Sequence, residues 1–341
     1  MQRLAGRDRR IQVIMLVAAC SVLLVGIGLL SLALGTPRLS LHDLVVIFQG
    51  GGSALSRIVV KQLRLPRLVL GILAGAMLAL SGALLQDALQ NVLAGPELLG
   101  VTAGATVVVA AITILHLPVL FSLIPWFALA GGLSCGSIVL LTMRQMRDPI
   151  RLVLTGVALA ALLNAAVIIL MSLGSQNDIS ILFLFLVGSL ANRTWEYVNV
   201  VLPWAVVGIP LALLCTRPLN VLRLGDDVAR GLGLPVFRTR LLILVLSTGL
   251  VAAVVAVCGP ISFIALLAPH LVRRLLQTSD ARIVLPCAAL VGAVLLTGAD
   301  LLARQVFDPQ ELPVGLWTTL IGGPCLLFLL RRQLGKRAGG T

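Results

Sequence analysis

Ten or so long apolar stretches, separated by short basic loops, restrict this chain more than any other feature. Stretches of about 20 apolar residues have the length of a membrane-spanning helix. Near the carboxyl end one of them is broken. Gly259-Pro260-Ile261-Ser262-Phe263-Ile264-Ala265-Leu266-Leu267-Ala268-Pro269-His270-Leu271-Val272-Arg273 places Gly and Pro where an ordinary span avoids them.

Composition agrees with a lipid environment. Hydrophobic residues make up 59% of the chain and charged ones 11%, and mean hydropathy is +1.09. Soluble domains carry about 25% charged residues. Too few charges remain to cover a water-facing surface. No long polar segment could fold as a separate soluble domain, so one membrane domain over 1–341 is expected. The net charge of +13 does not indicate nucleic acid, because the basic residues fall in short clusters between apolar runs. The first apolar segment, 11–34, follows Arg3, Arg7, Arg9 and Arg10 and is too long for a signal-peptide core, so it reads as a retained span.

The spacing predicts helices at 11–34, 66–89, 97–115, 118–142, 152–173, 197–216, 241–258, 262–275, 283–305 and 313–331. The eighth is short, bounded by Pro260 and Pro269. Most of the 26 Lys and Arg residues then share one side: Arg3 to Arg10, Arg144 to Arg151, Arg217 to Arg240, Arg273 to Arg282, and Arg331 to Arg337. The positive-inside rule puts that side, and both termini, in the cytoplasm. The opposite side carries a cluster of the unexpected sign: Arg57, Lys61, Arg64 and Arg67. Head-group snorkelling and docking of an acidic partner both explain it.

Gly71-x-x-x-Gly75, Gly100-x-x-x-Gly104 and Gly132-x-x-x-Gly136 allow close approach of helix backbones. A charge in mid-span would mark an ion or proton relay. Asp87, Glu97 and Asp300 all lie near span ends instead. No nucleophile elbow, H-E-x-x-H or P-loop is present. Six cysteines form no C-x-x-C pair and read as small packing residues. Neither an enzyme nor a metal or cofactor site is expected. Energy for active transport has to come from another chain.

Several motifs now fall in one order. They are Arg64-Leu65-Pro66-Arg67, Ser81-Gly82-x-x-x-Gln86, Asn91 to Gly100, Gly156-Val157-Ala158-Leu159, Gly188-Ser189-Leu190 and Leu219-Asn220 to Gly233. The Gly259 to Arg273 run, Asp300-x-x-x-Arg304, Glu311-Leu312-Pro313-Val314-Gly315 and Gly322-Gly323-Pro324 follow. Over nearly its whole length the chain resembles the permease subunits of ABC importers for iron-siderophores, haem and cobalamin.

The resemblance implies an all-α membrane protein with ten transmembrane helices, the type II ABC importer permease fold. It implies a second permease subunit across the translocation path, ATP-binding subunits on the cytoplasmic side and a soluble periplasmic binding protein. Arg64, Arg67 and Arg304 match the arginines that meet acidic residues of that binding protein. The segment about 217–240 matches the coupling loop, with Leu224, Gly225, Asp226, Asp227, Ala229, Arg230, Leu232 and Gly233 facing the ATPase as part of two short helices. Asp226 suits a helix N-cap there, and Val228, Ala229 and Leu232 offer an apolar face. Pro149, Ile150 and Arg151, at the start of the fifth span, are the candidate cytoplasmic gate.

The implied activity is import of an iron(III)-siderophore complex across the bacterial inner membrane by alternating access, with haem or cobalamin as the alternative cargo. A gradient-driven secondary transporter and a non-transporting scaffold are the readings from other classes. The chain departs from the family pattern at Gln90-Asn91-Val92, at Ala265, at Asp280-Ala281-Arg282 and at Cys325-Leu326. These departures point to a specialised cargo or an unequal subunit pair.

Overall fold

Lipid offers a peptide group no water to bond with, so each apolar stretch closes its backbone hydrogen bonds within itself. The computed structural model describes residues 2–145, 149–307 and 310–338, and among them the regular elements are all helical. Among the described residues seven helices are long and apolar enough to cross a membrane. They lie at Arg9–Ala33, Ala54–Ala88, Phe121–Thr142, Val153–Leu173, Trp195–Leu214, Val236–Cys258 and Ala281–Gln305. Three shorter apolar helices accompany them: Val101–Ile114, Gln176–Val187 and Val314–Leu327.

Each of the ten expected segments contains a helix, but their lengths differ from expectation. The second begins earlier, at Ala54, and passes through a π-helical turn at Val59–Arg64 before the α-helix Leu65–Ala88. The eighth, Ile264–Leu275, carries Pro269 inside it rather than at its boundary. Gln176–Val187 was not anticipated; it opens on a capping box in which Ser175 and Asp178 bond reciprocally.

Leu65–Ala88 and Val236–Cys258 form the centre of the bundle. The apolar windows of these two spans are 72% and 78% buried, against 6% for Arg9–Ala33 and 11% for Val153–Leu173. The latter two therefore turn most of their apolar side chains outward. Glycine lets Leu65–Ala88 touch Ala281–Gln305 and Ile264–Leu275. A Cβ on Gly75 would lie 2.4 Å from the Gly292 carbonyl oxygen, and one on Gly82 would lie 1.7 Å from that of Ala265. The spaced glycines at 100 and 104 pack against the Ile124–Gln145 helix, where a Cβ on Gly104 would meet Gly131 O at 2.5 Å.

Three chain breaks meet at one point. Gly188 (φ 80°) ends one helix and Gly259 (φ 71°) another, while Gly315 starts the last. Ser189 N–H donates to Cys258 O at 2.8 Å, and Gly315 N–H donates to Gly188 O at 3.1 Å. These bonds satisfy groups that the interrupted helices leave open. The left-handed Phe263 (φ 68°) then opens Ile264–Leu275.

Candidate functional site

The expected docking and coupling residues gather at the two ends of the Leu65–Ala88 helix. Its 24 residues span about 36 Å at ~1.5 Å per residue, slightly more than the ~30 Å hydrocarbon core. Charged clusters at its ends can thus sit at opposite membrane surfaces.

Arg64, Arg67 and Arg304 come together at the first end, all buried. Arg64 donates to Leu32 O at 2.6 Å and Pro37 O at 2.7 Å, tying the end of the first helix to the second. Arg67 clasps Asp300 from Nε and Nη2, and its Nη1 reaches Glu311 Oε2 at 2.7 Å. Arg304 donates to the Ser31 carbonyl and hydroxyl and lies 3.6 Å from Asp300 Oδ2. The guanidinium fork of Arg67 is therefore already filled from within the chain. Glu311 is the accessible member of this group, its side chain 44% exposed against 9% for Arg67. Arg57 lies exposed at the same end.

Beside this cluster opens a cavity of about 910 Å³. Arg64, Arg67, Arg193, Arg304 and Glu311 supply its charge, while Phe121, Ile181, Phe185 and Val257 are among its apolar walls. Arg193 was not singled out from the sequence, because a lone arginine in a short loop carries no pattern.

The other end holds the 217–240 segment. It forms two short helices, Thr216–Leu222 and Asp226–Gly231. Gly225 (φ 99°), not Asp226, is the N-cap, which frees the Asp226 carboxylate for another task. That task is Arg240, whose Nη2 lies 2.8 Å from Asp226 Oδ1 while its Nε donates to Ala88 O at 2.8 Å. The expected apolar face divides. Ala229 is buried, whereas Leu224, Val228 and Leu232 are exposed. Arg230 pairs with Asp227 on the surface, and Gly233 (φ 80°) turns the chain out of the helix.

A second ionic knot backs this loop. Asp87 Oδ1 lies 2.9 Å from Arg273 Nη2 and 3.5 Å from Arg223 Nε, and Arg273 also donates to Gln86. Asn220 donates to Asp280 Oδ1 at 2.6 Å, and Ala281 N–H donates to Asn220 Oδ1 at 2.8 Å. Burial alone would raise the Asp280 carboxyl. Hydrogen bonds from Asn220 and the Arg282 backbone, with the charges of Arg282 and Arg223, outweigh it and hold the group below its ordinary value. The two short helices are thus fixed to three long elements: Leu65–Ala88, Val236–Cys258 and Ala281–Gln305. Pro149, Ile150 and Arg151 begin the Pro149–Leu173 helix; their side chains lie outside the described residues.

The profile of the FecCD transport family matches residues 15–332. The chain belongs to that family.

Among its relatives is the Fe(3+) dicitrate transport system permease protein FecD of Escherichia coli (strain K12). It is 40% identical over 322 residues, covering 94% of this chain and 99% of that protein. The Fe(3+)-citrate import system permease protein YfmD of Bacillus subtilis (strain 168) is 38% identical, covering 96% and 97%. A solved structure of a metal-chelate type ABC transporter in an inward-facing conformation superposes with a TM-score of 0.81 at 28% identity, covering 92% of this chain and 98% of that one. Membership makes this chain a multi-pass permease subunit of an ATP-driven importer, non-catalytic itself and dependent on an ATP-hydrolysing partner.

Proposed function

We propose that this chain forms one half of a translocation path that carries iron(III) chelates of the siderophore and citrate type across the bacterial inner membrane. The observation that carries the cargo is the near full-length relationship to two iron(III)-citrate permeases. The Arg64, Arg67 and Arg304 end faces the periplasm in this reading, and both termini lie in the cytoplasm. A soluble binding protein docks there, its carboxylates exchanging with Glu311 on Arg67 and pairing with the exposed Arg57.

At the opposite end, Leu224, Val228 and Leu232 enter the ATPase, and Asp226 passes its movement through Arg240 to the Ala88 carbonyl. Closure of the ATPase dimer then rocks the central helices between outward and inward states. The apolar faces of Arg9–Ala33 and Val153–Leu173 meet lipid or the second permease subunit.

Competition in a strain lacking this chain tests the cargo. Restoring the chain should restore uptake of labelled ferric citrate, and unlabelled ferric citrate should compete better than haem or cobalamin. Preferential competition by haem or cobalamin would transfer the assignment to that cargo.

A further inference from the structure

The geometry points to the 910 Å³ cavity as a subsite for the free carboxylates of an anionic metal chelate, with Arg193 as its principal contact. The inference rests on the importer reading above and deepens it, naming where on this chain the cargo first binds and which charge class it has.

Charge balance comes first. Four guanidinium groups, from Arg64, Arg67, Arg193 and Arg304, line the cavity, and Glu311 is the one carboxylate among the described lining residues. Asp300 stands behind the wall, bonded to Arg67. Among the described residues, two carboxylates against four cations leave an excess of positive charge around a half-apolar space. Such a space concentrates anions, because its low-dielectric walls focus the field.

The four cations are not equivalent. Arg64 and Arg67 spend their donors on Leu32, Pro37, Asp300 and Glu311. Arg304 gives both Nη groups to Ser31, and its Nε, without a hydrogen bond among the described residues, faces the Asp300 carboxylate at 3.6 Å. Arg193 spends none on a carboxylate. Its guanidinium stacks over the Tyr197 ring, 4.5 Å from the centroid, and its buried Nε has no hydrogen-bond partner among the described residues. A ring face orients a guanidinium without consuming its N–H groups. The fork therefore remains available for two-point pairing with a ligand carboxylate.

Size and placement fit the same ligand. Small-molecule pockets run from about 300 to 1,000 Å³, and this one is about 910 Å³. Arg193 follows the knot formed by Gly188, Gly259 and Gly315, where three helices are interrupted. The site thus joins the arginine cluster to the irregular backbone of the bundle. A polycarboxylate chelate places negative charge beside Arg193 and its less polar body against Phe121, Ile181 and Phe185. An uncharged chelate gains nothing from the arginines.

Equilibrium dialysis of the assembled permease–ATPase complex, without binding protein, against iron-labelled ferric citrate tests the assignment. Saturable binding is expected. Arg193→Ala should weaken it about tenfold or more, the loss of one charge-assisted pair, and Arg193→Lys should fall between. Glu311→Gln removes the opposing charge and should tighten binding several-fold. Binding of an uncharged ferric hydroxamate should respond to none of these changes. Equal affinity of wild type and Arg193→Ala, weaker binding by Glu311→Gln, or competition by inorganic phosphate at the same concentration as free citrate would overturn the subsite. If wild type shows no ATP-driven uptake of any iron chelate, the importer reading fails. If uptake persists while Arg193→Ala binds as wild type, this subsite alone fails.

Discussion

Arg67 and Asp300, 233 residues apart in sequence, meet with Nη2 2.9 Å from Oδ1 and Nε 3.0 Å from Oδ2, both side chains buried. This clasp ties the start of Leu65–Ala88 to the end of Ala281–Gln305. Glu311 caps the free edge of the same guanidinium. The arginines that the family resemblance assigns to a partner are thus structural members of the chain as well.

Removing one side of the clasp leaves a buried charge without compensation. Asp300→Ala should destabilise the chain by about 3–5 kcal/mol. Glu311→Gln, half exposed, should cost under about 1 kcal/mol. Thermal unfolding of the purified complex in nanodiscs measures both. Equal losses would show that the clasp is not the stronger link.

Glycine at the three-way knot is expected to be irreplaceable. A Cβ on Gly188 would sit 2.0 Å from Pro260 O, and one on Gly259 would sit 2.2 Å from Phe185 O. Both residues also have positive φ, a strain of about 1–3 kcal/mol for any other residue. Gly188→Ala and Gly259→Ala should lower the folded yield sharply. Gly26→Ala meets nothing within 4 Å and should be neutral or slightly stabilising. Yield of monodisperse protein after solubilisation reads all three.

The Arg240–Asp226 pair should govern coupling. Arg240→Ala, or Asp226→Ala with Leu232→Ala, should leave ATP hydrolysis by the partner present but no longer linked to uptake. Uptake per ATP hydrolysed in proteoliposomes is the measurement. Full uptake with an unchanged ratio would remove this loop from the coupling path.

Asp280 supplies a pH dependence. Its folded carboxyl lies below the ordinary value, so its stabilising contribution is complete above the unfolded pKa of ~3.9 and fades as pH falls through the lower, folded one. Hydrogen exchange over Thr216–Leu222 should therefore rise, after correction for intrinsic rates, as pH drops below about 4. Asp280→Asn should show faster exchange at neutral pH and little further change in acid. An acid response as large in Asp280→Asn as in wild type would assign the effect to another group.

The helical segments were legible because hydropathy has a length scale, and the bilayer sets it. All ten expected segments contain helix, yet 262–275 and 97–115 yield only the α-helices Ile264–Leu275 and Val101–Ile114, since the left-handed Phe263 and Gly100 set their starts. Gln176–Val187 escaped because 12 residues are too few for a span; Ser175 three positions before Asp178 was the available signal. The arginine cluster was visible as a sign violation, but its partners were not. Periodicity reports neighbours within one helix and is silent about residue 67 meeting residue 300. Arg240 eluded the sequence reading for a further reason: its Nε bonds a backbone carbonyl, Ala88 O, and a carbonyl has no letter in a sequence. Asp226 has the residue type of a helix cap, whereas Gly225 adopts the positive φ that the turn demands.

The most direct test reconstitutes the chain with its second permease subunit and ATPase in proteoliposomes, adds loaded binding protein outside, and follows labelled iron chelate inward. Accumulation that requires ATP inside the ATPase-accessible compartment, and that an ion gradient alone does not drive, is the expected result. Accumulation driven by an ion gradient without ATP or ATPase would contradict the account.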